Sequence, residues 1–316
     1  MTTPEQIAAL REQLRPVLLG TGNFGGIAGE VGPGVGLDAE QAGAVMDHAV
    51  GVNITVFDTA DVYAKGASEK IVGDWVSAHP DAGVLIQTKT GTTATGPDLS
   101  PERITRQLHR SIDSLGRVDL YLSHSVDPNT RWEESLPVFS KAVEDGSIIA
   151  YGVSNVTAND ITEVLATADR FGLARPVLVQ NEYSLLARAD DAELLPIVET
   201  EGLLYTPFSP LANGLLAGRY SNGEHPTYGS RASIASRTAH LLDDPTTLDR
   251  LKAFDALAAK HDLRPASLAL AWVLNRPLVA APIISISRNE QWPAAWAAGR
   301  FTWSSEVDDA IDSIFE

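Results

Sequence analysis

Five ionisable or amide side chains each stand directly behind a short apolar run of this chain of 316 residues. The five are Asp58, Lys89, His124, Asn155 and Asn181. Because a buried acid or base is costly unless it is paired, their convergence on one edge of a sheet would form a mutually compensated polar cluster. A lysine that an acid keeps charged lowers the pKa of a neighbouring phenol and makes it a usable proton donor. Tyr63, five residues after Asp58, provides a phenol, so the set indicates proton transfer to a carbonyl.

Taken one at a time, these residues also fit structural roles. Asp58 suits the cap of a turn, Lys89 suits a side chain that extends to solvent, and a lone histidine such as His124 is commonly a hydrogen-bonded core residue. The chemical interpretation therefore depends on the whole set occurring at successive strand ends. The side chains themselves offer no source of electrons, and the chain has no cysteine to act as a thiolate nucleophile.

The elements that must position these residues alternate regularly. Eight short apolar runs read as parallel strands covered by helices on both faces. They lie at 16–20, 53–58, 83–89, 118–124, 148–154, 176–181, 203–208 and 279–284. Helical patterns separate most of them, and the clearest, 102–115, follows Ser100 and Pro101 and stops at Gly116. Eight strand–helix units over this length predict one (β/α)8 TIM barrel domain covering 1–316.

An open, doubly wound sheet is the competing architecture. Its usual marker is G-x-G-x-x-G directly after the first strand, and a glycine cluster does occur at 20–26. The residues that follow form a glycine-rich loop instead of a helix, and no Asp or Glu closes the following strand at the usual distance with a helix between. The glycine cluster is therefore weak evidence, and the pattern favours the barrel.

Two helix starts carry capping-box spacing, Asp38 with Gln41 and Thr130 with Glu133. Three segments depart from the alternation of strand and helix. Residues 1–15 read as an N-terminal helical extension, 212–246 as a long polar loop of the kind that is commonly functional or disordered, and 289–316 as extra C-terminal helices.

Composition narrows the class of protein further. Forty-one acidic residues against 24 basic ones give a net charge of −17, which argues against nucleic acid or an anionic membrane as a partner. The first residues contain no signal-peptide pattern, and no apolar stretch is long enough to span a membrane, so we expect a cytoplasmic protein. The seven histidines are scattered without ligand spacing, so no metal site is predicted.

Six separated motifs resemble the aldo-keto reductase superfamily, in the family's order and spacing. They are FDTADVYAKGASEKIVGDW (57–75), QTKTG (87–91), DLYLSHSVD (119–127), YGVSN (151–155), VQNEYSLL (179–186) and FSPLANGLLAGRY (208–220). The resemblance covers roughly residues 16–300, and the S-R-A-S run at 230–233 is most similar to the bacterial and potassium-channel β-subunit branch. In that family the N-terminus often forms a β-hairpin that plugs the barrel, whereas this chain looks helical there.

The resemblance implies a (β/α)8 barrel that binds NADPH across its rim and reduces an aldehyde or ketone, a small-molecule carbonyl substrate. It implies that Tyr63 is the general acid, that Lys89 lowers its pKa and that Asp58 holds Lys89. His124 would orient the carbonyl by hydrogen bonding. The oligomeric state and the particular carbonyl compound are left open.

The resemblance also implies a set of residues that contact NADPH. Thr21 and Gly22 would lie near the nicotinamide ribose, Ser154, Asn155 and Gln180 would bind the carboxamide, and Phe208 would stack on the ring. The remaining contacts, to the pyrophosphate and the adenosine, are Ser209, Pro210, Leu211, Gly214, Leu216, Arg219, Arg231, Ser287, Arg288 and Gln291. Alternatively, Arg219 and Arg231 are loop residues whose charged side chains simply extend into solvent.

Arg288 favours NADPH over NADH, because a guanidinium suits a phosphate better than a diol. Ala294 and Ala295 replace the Glu and Asn that contact adenine in relatives, which weakens that end of the site.

The substrate pocket is expected to be shaped by side chains near the rim and by two loops. These are Asn23, Phe24, Tyr63, Ser125 and the loops at 27–37 and 212–246. Ser125 stands where relatives often carry a large residue, which leaves room. Two other functions stay open: a cofactor-binding regulatory or interaction module with little turnover, and a barrel hydrolase or isomerase that uses Asp58, Lys89 and His124 without nicotinamide.

Overall fold

Strands and helices alternate along most of the chain in a computed structural model, which describes residues 3–27, 30–32, 34–228, 230–234 and 239–315. The strands are β1 (Leu18–Gly20), β2 (Val56–Asp58), β3 (Leu85–Thr90), β4 (Thr92–Thr93), β5 (Gly96–Pro97), β6 (Leu120–Ser123), β7 (Ala150–Ser154), β8 (Leu178–Gln180), β9 (Leu204–Tyr205) and β10 (Ile283–Ile284). Strands β4 and β5 form a separate antiparallel hairpin, and the other eight share one sheet.

Twelve α-helices in the described residues cover this sheet or extend from it. They are α1 (Pro4–Leu14), α2 (Ala39–Gly51), α3 (Ala67–Ala78), α4 (Pro101–Leu115), α5 (Trp132–Glu144), α6 (Ala158–Phe171), α7 (Asp190–Thr200), α8 (Arg231–Ile234), α9 (Pro245–Lys260), α10 (Pro265–Leu274), α11 (Trp292–Arg300) and α12 (Ser305–Phe315). None of these described helices is both long and apolar enough to cross a membrane.

The eight strands of the large sheet are parallel and close into a barrel. Their order is β10-β1-β2-β3-β6-β7-β8-β9, so each new strand adds beside the previous one. The two ends of this order meet, because Tyr205 forms a parallel bridge with Val279 and the amide of Ala280 donates to the carbonyl of Tyr205 at 2.8 Å. The predicted (β/α)8 barrel is confirmed, and the doubly wound alternative is excluded.

The floor of the barrel is closed by the first helix. Helix α1 is preceded by its N-cap residue Thr3, whose side chain and that of Gln6 form a reciprocal capping box. Its Leu10 and Leu14 are buried in the same apolar cluster as the inward side chains of the strands, Leu18 among them. This helix therefore occupies the end of the barrel opposite to the C-terminal strand ends.

A second, larger apolar layer lies between the strands and the helices around them. Helix α4 shows how the sequence builds it: Ile104, Leu108 and Leu115 are buried on one stripe. Gly116 then ends the helix with a φ of 82°, a conformation that other residues rarely adopt.

One of the two expected capping boxes forms and the other does not. Asp38 and Gln41 cap α2 reciprocally, as their spacing predicts. The prediction for Thr130 with Glu133 was wrong, because α5 begins one residue later and Arg131 pairs with Glu134. The hydroxyl of Thr130 donates instead to Asp127 at 2.7 Å, which draws it away from the free amides of the helix.

The three irregular segments show the following structure. The long loop contains two 3-10 turns, Ala212–Ala217 and Ala239–Asp243, and the short helix α8. Helices α11 and α12 follow β10, and Trp292, Ile311 and Phe315 are buried. Parts of the predicted segments lie outside the described residues: 1–2, 28–29, 33, 229, 235–238 and 316.

Candidate functional site

A buried ion pair joins two neighbouring strands at the C-terminal rim of the barrel. The ammonium of Lys89 donates to Asp58 Oδ1 at 2.6 Å and to the carbonyl of Thr59 at 2.7 Å. Lys89 and Asp58 retain only 1% and 3% of their exposure. Functional side chains of such barrels sit at this end of the strands, so the pair marks the site.

The strand geometry explains why these side chains meet. Residue Asp58 stands opposite Gln87 in the parallel register of β2 and β3. Because side chains of a strand alternate between its faces, Gln87 and Lys89 both point inward while Thr88 and Thr90 point to the helices. Two further amides, Gln87 Nε2 at 2.6 Å and Gln180 Nε2 at 3.2 Å, donate to the same Asp58 Oδ1.

Tyr63 lies beside this ion pair on the turn that follows β2. Its 3-10 turn is tight, with Ala64 and Lys65 at φ values of 48° and 57°. The ammonium of Lys89 lies 5.2 Å from the centre of the Tyr63 ring, and the His124 ring lies edge-on to it at 5.7 Å. The four residues expected to act in catalysis are therefore brought together.

Lys89 keeps its positive charge although its side chain is buried. Burial disfavours the ammonium form, but the Asp58 carboxylate and the Tyr63 phenol outweigh it and hold the pKa of Lys89 above its ordinary value. Lys89 thus remains a cation inside the barrel, with an anion on one side and a phenol on the other.

A chain of hydroxyl groups supports the end of β2. Thr21 Oγ1 donates to the Asp58 carbonyl at 3.0 Å and lies 2.8 Å from Ser68 Oγ, which is also 3.0 Å from Thr59 Oγ1. All of these hydroxyls are buried. The side chain of Thr21 is therefore occupied in fixing Asp58, and the sequence analysis did not identify Ser68.

Three polar residues expected at a carboxamide lie on the strands opposite. Ser154 and Gln180 are buried, and the exposed Asn155 donates to the carbonyl of His124 at 2.8 Å. Asn155 has a φ of 55°, a left-handed conformation that asparagine tolerates better than most residues. Gln180 reaches Asp58, so this group is joined to the ion pair by hydrogen bonds.

The loop after β9 wraps close to the same rim. Residues Ser209, Ala212 and Asn213 have positive φ values, and the half-buried Phe208 packs against the inner apolar cluster. This loop carries the predicted Ser209, Pro210, Leu211, Gly214 and Leu216, of which Pro210 and Leu216 are buried and the others half-buried.

Arg231 reaches from α8 to the other side of the rim. Its guanidinium donates to the carbonyl of Gly22 at 3.2 Å. A Cβ placed on Gly22 would lie 3.4 Å from that guanidinium and 3.5 Å from the Tyr63 ring. The gap that glycine leaves between the guanidinium and the Tyr63 ring is therefore about the size of one methyl group.

The residues expected at the adenosine end form a turn of their own after β10. Gln291 Oε1 accepts hydrogen bonds from the amide of Ser287 at 2.8 Å and from the amide of Arg288 at 3.2 Å. The side chains of Ser287 and Arg288 are exposed, as is that of Arg219. The side-chain amide of Asn23 donates to the carbonyl of Ile286 at 3.1 Å and ties this turn to the loop after β1.

Two expectations about the rim were wrong. Phe24 does not line a pocket, because it is fully buried in the layer between the strands and the helices. Asn181 does not join the ion-pair cluster, because it exchanges hydrogen bonds with the backbone of Val156 and donates to Asp190 at 3.0 Å. Ser125 is half-buried, and its place beside a substrate pocket stays a prediction.

Comparison with known proteins decides what kind of barrel this is. The model of the aldo/keto reductase family matches residues 16–316. The chain belongs to the aldo/keto reductase family. This membership confirms the resemblance read from the motifs, and it supports oxidoreduction as the general chemistry.

Similar aldo/keto reductase relatives carry two kinds of name. A probable voltage-gated potassium channel subunit beta of Oryza sativa subsp. japonica is 32% identical over 81% of this chain and 80% of its own length. The uncharacterized oxidoreductase YrpG of Bacillus subtilis is 30% identical over 94% and 91%. Protein tas of Escherichia coli is 30% identical over 87% and 89%.

A second cluster of buried acids lies on the helix side of β3, behind the Lys89–Asp58 ion pair of this aldo/keto reductase. Asp61 accepts from Thr90 at 3.0 Å and from Arg103 at 3.1 Å, and Glu69 accepts from Thr88 at 2.6 Å. Sequence analysis missed these acids, although the outward positions of β3 indicate where partners must lie. In the described part of the chain, no group of histidines and acids is arranged to hold a metal ion.

The pH dependence of stability follows from Asp61. Burial, only partly offset by Thr90 and Arg103, raises the pKa of Asp61 to about 6 from 3.8. A carboxyl with a raised folded-state pKa stabilises the protein below pH 4, and that stabilisation is lost as the pH rises to about 6. We expect Asp61→Asn to remove up to about 3 kcal/mol of this pH dependence. Urea denaturation at pH 3.5 to 7.5 measures this dependence. A variant of the exposed Asp81 is the control. If the free energy of unfolding of Asp61→Asn changes with pH as steeply as that of the control, the prediction is wrong.

Proposed function

We propose that this protein reduces an aldehyde or ketone to the alcohol with NADPH, using Tyr63 as the general acid. The observation that carries the proposal is the buried Lys89–Asp58 ion pair, in which the ammonium of Lys89 lies 5.2 Å from the centre of the Tyr63 ring. A fixed cation beside a phenol stabilises its phenolate form, which is what a proton donor becomes in the transition state.

The residues at the rim fit a nicotinamide cofactor. Members of the family typically bind one. The amide and hydroxyl groups of Ser154, Asn155 and Gln180 match the donors and acceptors of a carboxamide. The guanidinium of Arg231, held at the rim by its hydrogen bond to the Gly22 carbonyl, suits a ligand that carries negative charge. When bound, NADPH supplies a hydride to the carbonyl carbon.

Each of the four central residues has one task. Tyr63 donates a proton to the carbonyl oxygen, and Lys89 stabilises the resulting phenolate by its charge. Asp58 keeps Lys89 protonated and in place within the barrel. His124, whose ring stands edge-on to Tyr63, orients the carbonyl oxygen by hydrogen bonding. We assign no role here to a metal ion.

Most of the negative charge of the protein must lie away from a ligand that is itself a polyanion. With a net charge of −17, cofactor binding depends on a few basic side chains near the rim, chiefly Lys89, Arg219, Arg231 and Arg288. Their local potential attracts the phosphates within an otherwise repulsive surface. A cytoplasmic location remains our prediction from the sequence.

Preference for NADPH over NADH tests the assignment of Arg288. We expect Arg288→Ala to raise the KM for NADPH by roughly tenfold, because it removes a charge-assisted hydrogen bond to the 2′-phosphate. The KM for NADH should stay the same, since NADH lacks that phosphate. Steady-state kinetics with both cofactors measure the two values, and the exposed Arg300→Ala is the control. A wild-type preference for NADH of about tenfold would overturn the NADPH assignment.

A second candidate function is a cofactor-binding regulatory or interaction module with little turnover. The names of several relatives as potassium channel β-subunits favour it. The two proposals are separated by measuring NADPH binding through its fluorescence and then turnover on a panel of aldehydes, ketones and quinones. Tight binding without turnover on any of them supports the module, and turnover that Tyr63→Phe abolishes supports the reductase.

A further inference from the structure

We propose that Gln87 is a positioning residue that weakens the negative field of Asp58 and so favours ionisation of Tyr63. The inference rests on the proposed reductase function. Gln87 lies on β3, points inward two residues before Lys89 and has no exposed surface. Its side chain is therefore part of the barrel interior directly below the ion pair.

The hydrogen bond to Asp58 carries the argument. Gln87 Nε2 lies 2.6 Å from Asp58 Oδ1, the same distance at which Lys89 Nζ approaches that oxygen. A carboxylate oxygen only accepts, so the amide must present its NH2 group to Asp58. Lys89 thus shares its counter-ion with a neutral donor.

The other end of the same amide shows that the side-chain carbonyl is not the reason for a glutamine at this position. Gln87 Oε1 is buried and, within the described residues, accepts no hydrogen bond. An unpartnered carbonyl in a barrel interior is unfavourable. The hydrogen bond that Nε2 donates to Asp58 is therefore the physical reason for a glutamine here. The neighbouring inward residue of the same strand, Leu85, is apolar and packs against the inner apolar cluster.

The electrostatic consequence has a definite sign. The positive end of the amide dipole points at Asp58 and reduces the negative potential that reaches Lys89 and Tyr63. A less negative potential makes it easier for a group in this cluster to lose a proton. The charged and titratable groups that face the cluster are Asp58 on β2, Lys89 on β3, Tyr63 on its turn and His124 after β6, with the Arg231 cation on α8. Glu69 on α3 interacts electrostatically with Lys89 from the helix side of β3.

The test is an alkaline titration of Tyr63 that needs neither cofactor nor substrate. Absorbance of the phenolate in the near ultraviolet is followed with pH for each variant and subtracted from the same variant carrying Tyr63→Phe. We expect Gln87→Leu to raise the midpoint for Tyr63 by about 0.5 or more, and Gln87→Glu to raise it further by adding a charge. The alkaline limb of the kcat profile should move in the same direction.

Leu85→Ala is the matched control, because it alters the interior of the same strand without touching Asp58. It should lower stability and leave the midpoint unchanged. If Gln87→Leu and Gln87→Glu both leave the midpoint where it is, or if Leu85→Ala moves it equally, the inference is wrong. A protein that turns over no carbonyl compound yet shows the shifted midpoints would instead overturn the reductase proposal alone.

Discussion

Tyr63→Phe is expected to reduce kcat for carbonyl reduction by about 10²- to 10⁴-fold, the range that general acid catalysis contributes. The substitution removes the phenol oxygen and leaves the ring, which packs between Lys89 and His124. Because the ring remains, NADPH binding should change little, and the loss should fall on kcat. The measurement is steady-state turnover on a carbonyl panel, together with NADPH affinity from its fluorescence.

Tyr151→Phe is the matched control for this experiment. Its phenol is buried and donates to the carbonyl of Ala174 at 2.7 Å, on the helix side of the barrel wall. Deleting that hydroxyl should lower stability by about 1 kcal/mol and leave turnover unchanged. Equal activity of wild type and Tyr63→Phe on every substrate that is turned over would show that another group delivers the proton.

The largest expected change in stability comes from breaking the Lys89–Asp58 pair. Lys89→Met leaves the Asp58 carboxylate buried with only two amide donors, and we expect a loss of about 3–5 kcal/mol. Activity should disappear as well, since no cation remains beside Tyr63. Urea denaturation and the carbonyl assay measure the two effects separately.

The double variant Lys89→Met with Asp58→Asn separates stability from function. The introduced amide is neutral and its oxygen still accepts from Gln87 and Gln180, so most of the stability should return. The carbonyl of Thr59 stays without its lysine donor, which leaves a deficit of about 1 kcal/mol. Activity should not return. If the double variant loses as much free energy of unfolding as Lys89→Met and Asp58→Asn lose together, the two residues do not act as one buried pair.

The exposed pair of Lys70 and Asp74 provides the comparison. Their side chains are 70% and 66% exposed, with the ammonium 2.8 Å from the carboxylate. Water screens such a pair, so Lys70→Met should cost no more than about 1 kcal/mol. The contrast with Lys89 tests burial as the cause, because the two pairs have similar bond lengths.

The fold could be read largely from the sequence because its signals are local. Apolar runs of strand length, alternating with helical stripes such as that of α4, require a sheet with both faces covered. The polar residues behind those runs, Asp58, Lys89 and His124, had to meet, since parallel strands present their C-terminal ends at one rim. Tyr63 followed from its distance to Asp58 and from the family resemblance. The roles of these residues remain predictions.

Contacts between elements distant in the chain could not be predicted in the same way. Phe24 follows the polar Asn23 in a glycine-rich stretch yet is buried in the outer layer, and Asn181 is engaged with Asp190. Ser68 was overlooked because a serine inside a helix gives no signal of the hydroxyl chain it joins. The β3 register that sets Gln87 opposite Asp58 depends on how two strands pair, which no local pattern specifies.

The sequence by itself determined the class of barrel, the rim at which chemistry can occur and the types of group available there. Only the tertiary structure decided which atoms share a proton or a charge, because hydrogen bonds act over about 3 Å while residue patterns locate side chains only to a strand or a turn. Three donors on one oxygen of Asp58 are therefore visible in the structure alone. Because contacts at such short distances set the charge of a buried group, the net negative charge of the whole chain does not predict that this site holds a buried cation.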